Sequence, residues 1–518
     1  MPPVWPSIRA ALATPALLIA IPAGGSPVET PRALYARAAQ LANDRARLPE
    51  ARELAAAAVQ ADPALADAHY LLGWLDEQSG RLDEAASSYE TAIRHAPKLA
   101  QAHDRLGFVR GLQGRTDEAI AGFRKAIAVQ PGLAEAHYHL GATLWWTKDP
   151  KGAATALRTA VRLRPDHAES QYYLGLALKD TGDARGALAH LRRAVTLSPS
   201  LQPAQVRLGA LLLEMGDADG AIDAYRRAVA IDAGSIEARN GLGLALMEKG
   251  EAEEAAATFR ALVEAHPEDA SARHNLGTAL LQRGDLDGAV AVYRELVRRQ
   301  PDDAEAHYNL GLALKQKDDF EGAESELRQA LVLDPRLPEA SFTLGVVLWQ
   351  TGRAAEAAPP FRAAAAAREG YAEAHYMLGL VLKQLGERDA ALAQFREAIK
   401  QWPLYAEAHR GLGQLLAQAG DTAGSAAAIA EAERLTRLKA DAQAAAFALS
   451  AGRESAARGD RQEALTRFRE AVRLAPDNAH AHYQLALALS KSGAAREAAR
   501  HFAEAHRLAP YLPAGPGD

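Results

Sequence analysis

Apolar positions recur along this chain in blocks of 34 residues. Each block holds two stretches with the three-to-four-residue spacing of an amphipathic helix, joined by a polar turn. With Ala66 as position 1, position 7 is leucine from Leu72 and Leu106 through to Leu412, and position 8 is glycine from Gly73 through Gly243 to Gly413. Position 20 is small, as in Ala85, Ala119 and Ala391, and position 24 is large, as in Tyr89, Phe123, Leu157, Phe259 and Phe395. Position 32 is usually proline, as in Pro97, Pro131, Pro165, Pro301 and Pro403. The pattern predicts one pair of short helices per block, stacked because a single pair cannot bury its own apolar face.

Each position has a physical reason. Glycine at 8 and alanine at 20 let the two helices of a unit approach closely, while the large residues at 7 and 24 fill the space around that contact. Proline at 32 cannot continue a helix and ends the second one. A second glycine, among them Gly80, Gly182, Gly250, Gly284 and Gly386, opens the turn inside the unit and suits a helix C-terminal residue of positive φ.

On these leucine-glycine, alanine, aromatic and proline positions the chain resembles the tetratricopeptide repeat family, over about residues 32 to 512. The resemblance implies an all-α fold, a right-handed superhelical solenoid of about fourteen helix-turn-helix units. Position 4, tryptophan in the family motif, is mostly histidine here, including His69, His103, His137, His307, His409 and His482. Residues 32–65 read as a degenerate first unit and 66–439 as eleven in-register units. A five-residue phase slip falls at 440–444, two further units occupy 445–512, and 513–518 form a tail. Neither glycine nor proline occurs between Gly424 and Gly452, which predicts one long helix across the slip. Pro359-Pro360, inside a second helix, predicts a kinked or shortened helix there.

Composition narrows the function classes. A formal charge of −6 with no basic stripe argues against general nucleic-acid binding. The absence of cysteine excludes disulfides, thiol catalysis and cysteine-ligated metals. Residues 1–31 carry Arg9, an apolar run from Ala10 to Ala23 and the small residues Ala23-Gly24-Gly25-Ser26. This segment resembles a secretory signal and gives an expected location in the periplasm or cell envelope of a bacterium; a disordered leader on a cytoplasmic protein is the alternative. The run is short for a membrane span, so no integral span is expected.

Candidate chemistry is sparse. Position-4 histidines sit in successive units, whose helices pack about 8 to 10 Å apart, too far for them to share an ion at ligand distances of about 2 Å. They read as packing residues, with no metal and no cofactor. Gly241-x-Gly243 lies within a helix and is no phosphate loop. No nucleophile elbow or catalytic domain is present, so the expected protein is not an enzyme.

The family resemblance implies a concave groove lined by positions 2, 5, 9, 12 and 13. Position 2 is often acidic and position 5 often aromatic, both common consensus choices. Departures from consensus mark a candidate partner-binding patch at Tyr138, Trp145, Trp146, Tyr172 and Lys179, extended by Tyr308, Lys315, Trp349, Tyr376 and Lys383. The competing reading has the tryptophans covering neighbouring helices. The lysine and asparagine clamp with which some family members hold a C-terminal carboxylate is absent, and only Asn275 and Asn309 match the asparagine ladder of members fused to sugar transferases. The leading expectation is a non-catalytic adaptor holding an extended or helical segment of a protein partner. A regulatory or recruiting subunit of an envelope enzyme, such as one building or exporting a polysaccharide, is the alternative, and self-association through the end units is a third outcome.

Overall fold

The computed structural model describes residues 29–515 and shows 27 α-helices and no strand among them. Within a unit a first helix such as Ala304–Gln316 and a second such as Phe320–Leu333 are joined by a tight turn. The turn residue at position 15 has positive φ throughout, from Gly80 at 74° to Gly182 at 86°, a conformation glycine adopts without steric cost. Two units hold the same conformation without glycine, with Lys148 at 64° and Asp318 at 62°. In several units an aspartate then caps the second helix: Asp149, Asp285 and Asp319 each accept from the backbone N–H three residues on, at 2.9 to 3.0 Å.

The glycine at position 8 sits against the residue at position 24. A Cβ on Gly243 would lie 2.4 Å from Phe259 Cζ, on Gly277 2.5 Å from Tyr293 Cζ, and on Gly141 2.5 Å from Leu157 Cγ. Phe259 and Tyr293 are fully buried, so the ring has nowhere to retreat. Position 4 carries a second recurring link. His69, His103, His307 and His482 donate from Nε2 to the carbonyls of Pro63, Pro97, Pro301 and Pro476 at 2.9 to 3.0 Å. Gln171 does the same to Pro165 at 2.9 Å. The proline that ends one unit therefore supplies an orphan carbonyl that the next unit's first helix satisfies.

The chain divides into two compact bodies, one running to Glu214 with Asp223–Ala233, the other comprising Met215–Ile222 and Gly234 onward. The sequence pattern passes through this division without a break. In the first body the initial pair is Pro31–Leu41 and Leu48–Ala61, separated by a 3-10 turn at Arg45–Arg47. Its position 24 is only Ala55, and Tyr35, Leu48 and Leu54 pack around the small residue.

In the second body the expectation for Pro359-Pro360 is corrected in one respect: the helix Ala354–Ala367 keeps fourteen residues, like its counterparts. Ala355 and Glu356, whose carbonyls lose their donors, face solvent, and Phe361 remains fully buried against Gly345. Water can satisfy the two freed carbonyls. The glycine- and proline-free stretch forms one 36-residue helix, Thr422–Ala457. Its first part serves as a second helix, with Ile429 against Gly413, and its last part as a first helix, with Gly452 against Phe468.

Two substitutions test this register. Gly243→Leu should destabilise by about 1 to 3 kcal/mol through overpacking on Phe259, while Gly132→Ala, where an added Cβ meets nothing within 4 Å, should leave thermal unfolding unchanged. Lys148→Gly and Asp318→Gly should each stabilise by roughly 1 kcal/mol, since the left-handed conformation costs a side-chain-bearing residue about 1 to 2 kcal/mol. Chemical denaturation of the four variants checks both.

Candidate partner-binding face

First helices of neighbouring units are tied by contacts 35 residues apart. From position 5 to position 6 of the next unit, Asp104 accepts from His139 Nδ1 at 2.9 Å, Asn240 from Asn275 at 2.8 Å and His274 Nδ1 from Asn309 at 3.2 Å. From position 12 to position 13 of the next, Trp145 donates to Asp180 at 2.7 Å, Lys179 to Glu214 at 2.7 Å and Trp349 to Gln384 at 3.0 Å. Gln282 donates back to the Met247 carbonyl at 2.9 Å. Several residues singled out as binders are thus engaged in the stack: the indole N–H groups of Trp145 and Trp349 and the Lys179 ammonium already have partners.

In the first body this face is largely filled. Tyr138 is 4% exposed, its ring packed among His139, His167 and Tyr173 with centroids 4.9 to 6.0 Å away. Burial, then the neighbouring Tyr173, pushes its phenol well above the usual range. Tyr138 is therefore a core residue, and its assignment to an open groove is corrected. Position 9 is buried as well at Trp74, Phe108 and Leu176. At Tyr138 the crowding comes from His139 and from Tyr173 of the next unit, whereas Tyr70 and Tyr172, also at position 5, stay half-exposed. Arg105 reaches Glu77 at 3.2 Å, and burial raises the Glu77 carboxyl against the pull of that guanidinium and of the Tyr89 hydroxyl. Trp146 is exposed, half-buried Trp145 packs edge-on to it at 5.0 Å, and Tyr172 is half-buried against Tyr173.

The second body differs. Position 6 there is Gly241, Asn275, Asn309, Thr343 or Gly411, apart from Met377, and position 5 is left half-exposed at His274, Tyr308, Phe342 and Tyr376. Position 9 continues the opening with exposed Leu244 and half-exposed Leu312, Val346 and Leu380. The rings are held from beneath: Phe342 lies 5.5 Å from Phe361 and 5.2 Å from Tyr371, and Tyr376 lies 5.8 Å from Phe395 and 5.0 Å from Tyr405. Arg368 stacks 3.6 Å over Tyr371 and pairs with Glu339 at 2.7 Å. Burial raises the Tyr308 and Tyr376 phenols and lifts Tyr371 to about 12, so all three stay neutral at physiological pH. Glu305, Glu373 and Glu407 stand exposed along the edge at position 2. Lys315, Trp349 and Lys383 line the opposite edge, Lys383 donating to Gln414 at 3.0 Å.

The structure thus brings Tyr308, Lys315, Trp349, Tyr376 and Lys383 onto one face and adds Phe342, Leu312, Val346 and Leu380, which were not singled out. Their signal was present as the 34-residue recurrence of an apolar residue at position 9. Among the described residues no group of three or more histidines, cysteines or carboxylates could hold a metal ion, and no helix is long and apolar enough to cross a membrane.

Family models described as tetratricopeptide repeat match residues 147–202, 206–270, 240–304, 274–338, 308–372 and 376–445, with further repeat matches at 66–99 and 452–493. The chain belongs to the tetratricopeptide repeat family, whose fold is a protein-interaction scaffold. No curated protein matches it. Similar solved structures include MamA from Desulfovibrio magneticus, 26% identical over 33% of this chain and 96% of that one, with a TM-score of 0.31. Yeast Tom70 is 14% identical over 78% and 95%, with a TM-score of 0.38. YrrB, described as a repeat protein with an unusual peptide-binding site, is 22% identical over 36% and 96%, with a TM-score of 0.32.

Proposed function

We propose that this protein is a non-catalytic adaptor that holds an extended or helical segment of a protein partner on the first-helix face of its second body. The observation that carries this reading is the row of half-exposed rings and aliphatic side chains, Tyr308, Phe342 and Tyr376 beside Leu312, Val346 and Leu380, recurring in successive units. Isolated exposed apolar residues are ordinary, whereas a contiguous row rimmed by charge marks an interaction surface. The rings are packed from below, so ordering them on binding costs little entropy. Trp349 and the phenols add amphipathic anchors of the kind that dominate binding energy. The exposed Trp146 beside Trp145, with Tyr172 and Lys179 one unit on, forms a smaller secondary patch on the first body. The apolar run and small residues at 10–26 support export to the cell envelope; they lie outside the described residues.

Crosslinked recovery from the native host tests this reading. The parent should capture a partner that a Trp349→Ala, Tyr376→Ala, Leu380→Glu variant with unchanged helicity loses, while Trp146→Ala retains it. Equal recovery by the parent and the triple variant would remove the second-body face from the binding role.

A further inference from the structure

A cation that one unit of the second body supplies to itself is missing from the next. In the pair Pro338–Gln350 and Ala354–Ala367, position 31 is Arg368. Its guanidinium stacks 3.6 Å over the ring of Tyr371 at position 34 and pairs with Glu339 at position 2, 2.7 Å away. The first body repeats the ionic half of this arrangement, with Arg164 at position 31 paired to Glu135 at position 2. One unit after Tyr371 the tyrosine and the carboxylate return as Tyr405 and Glu373, but position 31 is Trp402. Its indole takes the arginine's place and stacks on Tyr405 at 4.8 Å, with the planes 28° apart. Trp402 is 44% exposed, and Leu404 close by is 55% exposed.

A carboxylate in the first turn of a helix is ordinary by itself. Glu373 differs from Glu339 and Glu135 in having lost the cation that its position meets. Among the described residues no basic side chain pairs with it, nor with Glu407 at position 2 of the following unit, and both are exposed. Burial first, then Tyr376, then the charges of Glu407 and Glu373 push the Tyr405 phenol up. Both carboxylates therefore act on the ring that carries the indole. Arg410, whose charge reaches Tyr376, donates instead to Thr436 at 3.3 Å. An exposed indole presents a negative ring face, and carboxylates beside it add to its attraction for a cation. This spot is continuous with the proposed partner-binding face, because Tyr405 lies 5.0 Å from Tyr376.

We propose that an arginine side chain of the bound partner segment is received here, its guanidinium lying on the Trp402 indole and its charge offset by Glu373 and Glu407. The inference rests on the reading of this face as the place where a partner segment lies. Arginine fits better than lysine because a planar guanidinium stacks on an aromatic face while its fork of N–H donors meets a carboxylate. Arg368 makes both contacts within the chain, on Tyr371 and Glu339. The partner supplies from outside the group that the preceding unit supplies from within, and its arginine stands beside the apolar residues that cover Tyr376 and Leu380.

Selection of random dodecapeptides displayed on phage, with the full chain as bait, provides the test. The parent should enrich peptides that carry arginine next to apolar residues. Glu373→Gln and Trp402→Ala should bind those peptides about tenfold more weakly, and should bind versions with glutamine in place of the arginine as well as the parent does. Trp402→Arg, which rebuilds the Arg368 arrangement inside the chain, should select apolar peptides with no arginine preference. Apolar peptides without arginine from the parent, lysine chosen as often as arginine, or an arginine preference that all three variants keep would each overturn the proposal and leave the adaptor reading standing. If the parent selects nothing, or if the Trp349→Ala, Tyr376→Ala, Leu380→Glu variant selects the same peptides as the parent, both the proposal and the reading beneath it fall.

Discussion

The approach of the position-8 glycine to the position-24 side chain sets the helix spacing in every unit from Gly73 to Gly413, and the rest of the structure depends on that distance. With Phe259 Cζ only 2.4 Å from where a Cβ on Gly243 would stand, no other residue fits without displacing a buried ring. Close pairing in turn points position 24 toward the next unit: a Cβ on Gly411 would lie 2.9 Å from Phe395 of the preceding pair. Spacing inside a unit and stacking between units therefore share one set of side chains. The proline carbonyl that accepts from position 4 of the next unit adds a polar tie to the same joint.

Once the backbone arrangement is fixed, the surface is decided by a few side chains beside it. The same position 5 is a buried tyrosine at Tyr138 and a half-exposed one at Tyr308. The difference lies in the following unit, where Tyr173 crowds the first and Thr343 leaves the second open. Aromatic rings held by Phe361 and Phe395, with carboxylates along one edge and lysines along the other, give the second body a rigid apolar strip with asymmetric charge.

Most of the fold was legible in the sequence because it is made of short-range rules repeated many times. Glycine at position 15 announces a positive φ at Gly250, and the missing helix breakers announce the helix Thr422–Ala457. Pro359-Pro360 misled about helix length because the affected carbonyls face water, a matter of orientation that the sequence does not display. The candidate site was legible only in part. Burial of Tyr138 depends on Tyr173 one unit later, a pairing across 35 residues, and reading Tyr138 by its own position alone places a core residue in the groove. Trp145 and Trp349 likewise look available until the acceptors Asp180 and Gln384 are seen beside them.

The central claim is that the first-helix face of the second body is where a partner segment lies. A photoreactive residue introduced singly at Val346, on that face, and at Val332, an exposed position on a second helix, would test it most directly in the native host. The account predicts a protein adduct from Val346 and none from Val332. An adduct from Val332 alone, or from neither position, would contradict it.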